Sequence, residues 1–195
     1  MRLLLLAPPG AGKGTQGARL ADRLGVRHVS AGELLRAEAR AGTPAGREVA
    51  GYLQRGDLVP DAIVFDVLTP AVVAEVARGG YILDGFPRTL AQATTAADLG
   101  ARLGLTLQAV IHLYASESVL VQRLLGRARE GGRSDDTAAV IRHRLDVFAT
   151  TTSPLIDYYR NRGILLAVDA DQPPEAVTAE ILTRLSDRSS IGERS

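Results

Sequence analysis

Short apolar runs alternate with longer amphipathic stretches along the whole chain. The runs at residues 2–7, 27–29, 81–83, 109–114 and 164–168 read as strands. Between them helical periodicity covers residues 12–24, 31–41, 46–55, 61–77, 90–103, 116–129, 136–160 and 174–188. Strands that are apolar throughout, without in–out alternation, are buried on both faces. The pattern therefore predicts an α/β fold: a parallel five-stranded sheet between two helical layers. Ligands of such folds lie beyond the carboxyl ends of the strands. Two places break the alternation. Residues 30–59 contain two helical stretches and no strand, joined by Ala41-Gly42-Thr43-Pro44, which predicts a small helical lobe. Gly126-Arg127-Ala128-Arg129-Glu130-Gly131-Gly132-Arg133 predicts a short hairpin or loop.

Composition narrows the picture. A length of 195 residues, 46% hydrophobic, suits one domain with a small insertion. The net charge of +1 gives no cationic excess, so a nucleic-acid partner is not expected. No apolar run approaches the ~20 residues of a membrane helix, so no membrane partner is expected either. The absence of cysteine excludes disulfides, a thiol nucleophile and cysteine-bound zinc. Met1 to Pro9 runs into proline and glycine without a cleavage site and reads as a strand, not a signal peptide; the cytoplasm is the expected compartment. Of the 23 basic residues, 22 are Arg and one, Lys13, is Lys. A compact ammonium on a flexible stem is thus retained at one position only, where arginine is no substitute.

That position is chemically distinctive. Ala7-Pro8-Pro9-Gly10-Ala11-Gly12-Lys13-Gly14-Thr15-Gln16 follows the first strand and opens a helix. Gly10, Gly12 and Gly14 let the backbone turn its N–H groups inward, and the helix N-terminus adds partial positive charge. Lys13 would reach the β- and γ-phosphates, and Thr15 would offer a hydroxyl near Mg²⁺. Ala7 stands where the strict phosphate-loop pattern has glycine, which is acceptable if its φ is negative. Gly10, Ala11, Gly12, Lys13, Gly14 and Thr15 are therefore the expected cradle for the phosphates of a nucleotide. A second motif, Asp84-Gly85-Phe86-Pro87-Arg88-Thr89-Leu90-Ala91-Gln92, closes another apolar strand with an acid. His28, His112 and His143 read as structural.

The glycine-rich loop resembles that of the nucleoside monophosphate kinases, adenylate kinases in particular, where Gly14-Thr15 is the normal variant. Ser30-Ala31-Gly32-Glu33-Leu34-Leu35-Arg36 and Gly56-Asp57-Leu58-Val59-Pro60 resemble the two ends of that family's monophosphate-binding lobe. The Asp84-to-Gln92 segment is similar to its most diagnostic stretch. The resemblance implies a P-loop NTPase three-layer sandwich, divided into core (1–29, 60–125, 133–195), monophosphate-binding lobe (30–59) and short lid (126–132). It implies that Arg36 and Arg88 clamp the monophosphate and that Asp57, Leu58 and Val59 line its base pocket. Ala31, Gly85, Phe86 and Pro87 would approach the nucleotide, and Gln92 would bond the base edge. Asp84, with Thr15, would hold Mg²⁺ through water.

Gln122-Arg123, Gly126-Arg127, Gly132-Arg133-Ser134-Asp135-Asp136 and Arg142-His143-Arg144 resemble the lid and its flanks. The implied roles are Arg123 over the ATP adenine, Arg127 on ATP phosphate, and Arg133 with Arg144 bridging the transferring group. Asp135 and Asp136 would cap the helix that follows or pair with lid arginines. Gln172, in Asp169-Ala170-Asp171-Gln172-Pro173, would lie at the ATP adenine. The gap is too short for a zinc-bearing lid.

The implied reaction is Mg-ATP + AMP ⇌ 2 ADP, with Lys13, Asp84, Arg88, Arg123, Arg133 and Arg144 as catalytic groups and a monomer as the working unit. Ala31 and Glu33 replace the usual Thr and Asp of adenylate kinases and match UMP/CMP kinases, whereas Thr89 and Gln92 follow the adenylate pattern. A UMP/CMP kinase and a catalytically silent nucleotide sensor are the alternatives.

Overall fold

The five apolar runs pair into one sheet. The computed structural model describes residues 1–129 and 137–192. Its strands are β1 (Arg2–Leu6), β2 (Arg27–Ser30), β3 (Tyr81–Asp84), β4 (Ala109–Tyr114) and β5 (Leu165–Asp169), all parallel, in the order β2-β3-β1-β4-β5. The helices are α1 (Lys13–Leu24), α2 (Ala31–Arg40), α3 (Pro44–Arg55), α4 (Asp61–Val76), α5 (Leu90–Leu103), α6 (Glu117–Arg129), α7 (Ala138–Val147), α8 (Pro154–Asn161) and α9 (Pro174–Gly192). None of the described helices is long and apolar enough to cross a membrane.

The central strand β1 explains the layering. Its leucines are all essentially buried, yet they face opposite ways. Leu3 and Leu5 join Ile82, Ile111, Leu113 and Val168 in a core that α1 and α9 cover through Leu20, Val177 and Ile181. Leu4 and Leu6 join Val29, Leu83 and Val110 in a second core, covered by α4 and α8 through Leu68, Val72 and Leu155. Parallel register aligns Leu5 and Ser30 with Asp84, so β1, β2 and β3 finish level and their following loops meet on one rim.

Residues 31–55 supply the strandless pair expected in the sequence. Thr43 caps α3 by accepting the Gly46 N–H at 2.8 Å, and Gly46 lies so close to the Glu38 carbonyl that a Cβ would collide. Leu35 and Val49 fill the seam between α2 and α3.

Three expectations change. The single helix predicted over 136–160 is α7, a π-helical turn (Phe148–Thr152) and α8. Pro154 has no N–H to continue the ladder, and the preceding turn widens so that Ser153 N–H reaches the Phe148 carbonyl at 2.8 Å. Gly126 to Arg129 form the last turn of α6, not the start of a loop. The cap assigned to Asp135 or Asp136 comes from Thr137, whose hydroxyl accepts the Val140 N–H at 3.3 Å. Arg133, Asp135 and Asp136 lie outside the described residues.

Candidate functional site

The loop after β1 bends where glycine permits it. Gly10 and Gly12 have φ of +88° and +89°, and a Cβ on Gly10 would sit 2.7 Å from the Leu120 carbonyl oxygen. No non-glycine residue among those described has positive φ, so Ala7 meets its condition. Gly12 is the N-cap of α1 and makes no side-chain cap bond, leaving the first N–H groups of that helix directed at the loop. Lys13 folds back over this hollow, its Nζ donating to the carbonyls of Ala7 (2.7 Å) and Pro8 (3.2 Å). Gln16 is buried and anchors α1 to α9: its Nε2 donates to the Pro174 carbonyl at 2.9 Å, and its Oε1 accepts from Thr178 at 2.7 Å.

The hollow opens into a cleft of about 570 Å³ along the carboxyl rim of the sheet. Asp84 enters it from the end of β3. Burial alone would raise its carboxyl, but the hydrogen bond from His28 and the charges of Lys13 and Arg88 outweigh burial and hold it below the usual carboxylate range. Asp84 is therefore ionised at neutral pH. Opposite stands a cluster of guanidinium groups. Arg88 is pulled below its ordinary value by burial; Asp84 opposes this, while Arg144 and Arg36 add to it by repulsion. Its Nε donates to the Gly85 carbonyl at 2.9 Å, which holds the side chain across the turn, and Gly85 takes a φ of +81° to make that turn. Three like charges pressed together within one cleft are a ready receptor for a phosphate group.

Arg123 and Arg127, one turn apart on α6, line the cleft from the third side. Gln172 lines it beyond β5, its Nε2 held by the Asp169 carbonyl (3.2 Å) and Glu180 (2.9 Å). Asp57, Leu58, Val59, Phe86, Pro87 and Gln92 border the cleft beside the arginine cluster. Ala31 does not: it is buried behind the rim, with its Cβ facing Gly85.

The sequence reads His28 and His143 as structural but names no partner for either. His28 Nε2 lies 3.2 Å from Asp84 Oδ2, packed so closely on Gly17 that a Cβ there would collide with the ring. His143 Nε2 lies 2.9 Å from Asp57 Oδ1, joining α7 to the end of the α2–α3 lobe, while Arg55 Nε holds Asp57 Oδ2 at 2.7 Å. Arg55 and His143 together keep the Asp57 carboxyl below its ordinary value. No local pattern announces either contact, because each joins residues distant in sequence. The apolar wall formed by Leu35, Leu53 and Val64 was also missed, since such residues read simply as core.

A glycine-rich loop, a lone lysine, a helix N-terminus, an ionised strand-end acid and a facing arginine cluster define a nucleotide-binding α/β protein built for phosphoryl groups. The comparisons narrow that class. The family described as adenylate kinase matches residues 5–164. The chain is 45% identical to the adenylate kinase of Thermobifida fusca (strain YX), over 96% of this chain and 100% of that relative. It is 48% identical to that of Synechococcus sp. (strain CC9311), over 92% and 96%, and 42% identical to that of Stenotrophomonas maltophilia (strain K279a), over 95% and 99%. The chain belongs to the adenylate kinase family, whose members are nucleoside monophosphate phosphotransferases.

Proposed function

We propose that this protein catalyses reversible phosphoryl transfer from ATP to AMP, giving two ADP. The observation that carries the reading is the convergence on one cleft of Lys13 on its glycine loop and of Arg88 with Arg36 and Arg144 crowding it. ATP and AMP bring about −6 of phosphate charge together, and only a site charged from both ends can bring them into line. The loop N–H groups and Lys13 take the donor phosphates, with Lys13 exchanging the Ala7 and Pro8 carbonyls for phosphate oxygens. Arg36 and Arg88 hold the acceptor phosphate. Arg144 lies between, with Arg123 and Arg127 on the ATP side, and Arg133 belongs to the same set by resemblance. The acceptor oxygen is already anionic, so no general base is needed; catalysis is positioning and charge stabilisation.

Asp84 and Thr15 suit a magnesium ion bound with ATP. Asp84 is ionised and lines the cleft with the loop, and His28 engages its Oδ2. Magnesium asks for one or two carboxylates and otherwise keeps water and phosphate oxygens, so no denser acidic cluster is required. When bound, the ion neutralises phosphate charge. Water competes with AMP for the phosphoryl group, so residues 30–59 and the lid at 126–132 close over a core of 1–29, 60–125 and 133–195. Gln172 and Arg123 border the donor base, and Val59 and Gln92 the acceptor base. A length of 195 residues and membership of the adenylate kinase family favour a monomer. Its substrates and cysteine-free composition favour the cytoplasm.

A coupled ADP assay with magnesium, ATP and AMP, CMP, UMP or GMP tests the reading. AMP is expected to be the best acceptor. A better rate with CMP or UMP would favour the pyrimidine alternative, and no transfer to any of them would favour the silent sensor.

A further inference from the structure

Gln92 borders the acceptor end of the cleft, beside an apolar slot formed by Leu35, Leu53, Val59, Val64 and Phe86. It is 3% exposed, and its amide is clamped from both ends. Oε1 accepts the backbone N–H of Arg88 at 2.7 Å, and Nε2 donates to Asp61 Oδ1 at 2.6 Å. An amide can usually be turned end for end, exchanging donor and acceptor. Here it cannot. A backbone N–H only donates and a carboxylate only accepts, so the two partners demand the same orientation. A turned amide would set oxygen against carboxylate and NH₂ against N–H. Asp61 itself does not border the cleft; it begins α4, brought 31 residues back in sequence to the start of α5.

We propose that Asp61 is a positioning residue for base selection: by holding Gln92 Nε2 it fixes which side of the amide donates and which accepts, and so admits 6-amino over 6-oxo purine monophosphates. The inference rests on the reading of this end of the cleft as the acceptor site. After its two internal bonds Gln92 retains one N–H and one oxygen lone pair, in an order that the two partners fix. A 6-aminopurine edge offers an N–H donor at position 6 and an acceptor at N1; a 6-oxopurine edge offers the reverse. With the phosphate held by Arg88 the base cannot turn over to correct the mismatch. The 6-oxo base then leaves two polar groups unsatisfied against an apolar wall.

The test compares AMP with IMP, which differ at position 6 and N1 alone, in the parent and in Asp61→Ala, Asp61→Asn and Asp61→Glu. Equilibrium dissociation constants are read first, then kcat/KM for each acceptor. The parent is expected to favour AMP, and the AMP-to-IMP ratio is expected to fall about tenfold in Asp61→Ala. Asp61→Asn should lose less, because its amide can still accept, and Asp61→Glu should restore part of the preference. If Asp61→Ala does not fold, Asp61→Asn decides on the same ratio. A parent without preference, a ratio unchanged in the variants, or equal losses for both nucleotides would overturn the proposal. A parent that binds AMP over IMP yet transfers nothing removes the enzymatic reading instead, and the binding ratios still decide the role of Asp61.

Discussion

Phe86 and Pro87 form a wall between two hollows with different chemistry. On one side is the cleft of about 570 Å³, holding Lys13, Asp84 and the arginines. On the other is a cavity of about 210 Å³ among α4, α5 and α8, lined by Leu68, Val72, Leu83, Ala96, Tyr159 and Ile164. The first lies beyond the strand ends, at the N-terminus of α1 and the positive-φ glycines Gly10, Gly12 and Gly85. The second lies against the sheet face, beside β3, which pairs with a strand on either side. Two of its lining tyrosines use their hydroxyls internally: Tyr81 donates to the Leu105 carbonyl at 3.1 Å and Tyr158 to that of Ala93 at 3.4 Å. Volume alone therefore does not make a site. What distinguishes the cleft is the charge that the fold brings together there, Lys13 and Asp84 with Arg36, Arg88 and Arg144.

The largest effect should come from the centre of that charge. Lys13→Met keeps the length of the stem and removes the ammonium, and kcat for ADP formation should fall by about 10³-fold or more. Thermal unfolding should move little, because the lysine's bonds to the Ala7 and Pro8 carbonyls stay within one loop. A variant retaining a tenth of the parental rate would break the distinction between the two hollows. Arg88→Lys should cost less, about 10²-fold in kcat/KM for AMP, since a charge remains but the planar fork and its Gly85 anchor are lost. Steady-state kinetics with AMP varied at saturating ATP would show whether the loss falls on the acceptor side.

The charged cleft was more legible in the sequence than its surroundings, for a physical reason. Phosphate loops are built locally: the glycines, Lys13 and the helix start are consecutive, and the four leucines that lead into them announce a buried strand. Elements such as α5 and β4 were readable to the residue because turn signals bracket their periodicity. The π-helical turn at Phe148–Thr152 was not, because hydrophobic spacing continues through it and only Pro154 hints at a break. His28 on Asp84, His143 on Asp57 and Asp61 on Gln92 join residues 56, 86 and 31 positions apart, so they exist only once the sheet order is set. Ala31, assigned to the nucleotide by resemblance, is itself buried, with the cleft-lining Ser30 and Gly32 on either side.

Charge inside the sheet behaves oppositely to charge at its rim. His112 on β4 has its pKa lowered to about 4, by burial first and by Arg160 second. It is neutral in the folded protein at pH 7, whereas the unfolded chain takes a proton near the ordinary value of 6.5. Below that value the unfolded state binds more protons, so stability should decline as pH falls from about 6.5 toward about 4. With partial exposure discounted, the histidine should account for about 2 kcal/mol of that decline. Denaturant unfolding at pH 7 and pH 4.5 should give a shallower loss for His112→Gln than for the parent. Equal slopes would mean that β4 tolerates the imidazolium.

The smallest effect probes the apolar hollow itself. Ala96 lies on α5, borders the cavity and is packed against the core beneath the sheet. Leucine is a strong helix former and its extra carbons would enter space now lacking contacts, without displacing a satisfied polar group. Ala96→Leu should stabilise the protein by about 1 kcal/mol, seen as a rise in denaturation midpoint at unchanged slope. Because the cavity reaches the cleft only through the backs of Phe86 and Pro87, kcat/KM for AMP should stay within about twofold. A stabilised protein with a large kinetic defect would show that filling one hollow shifts the turn that carries Arg88. The two would then be mechanically coupled, and their separation by chemistry would not be a separation in function.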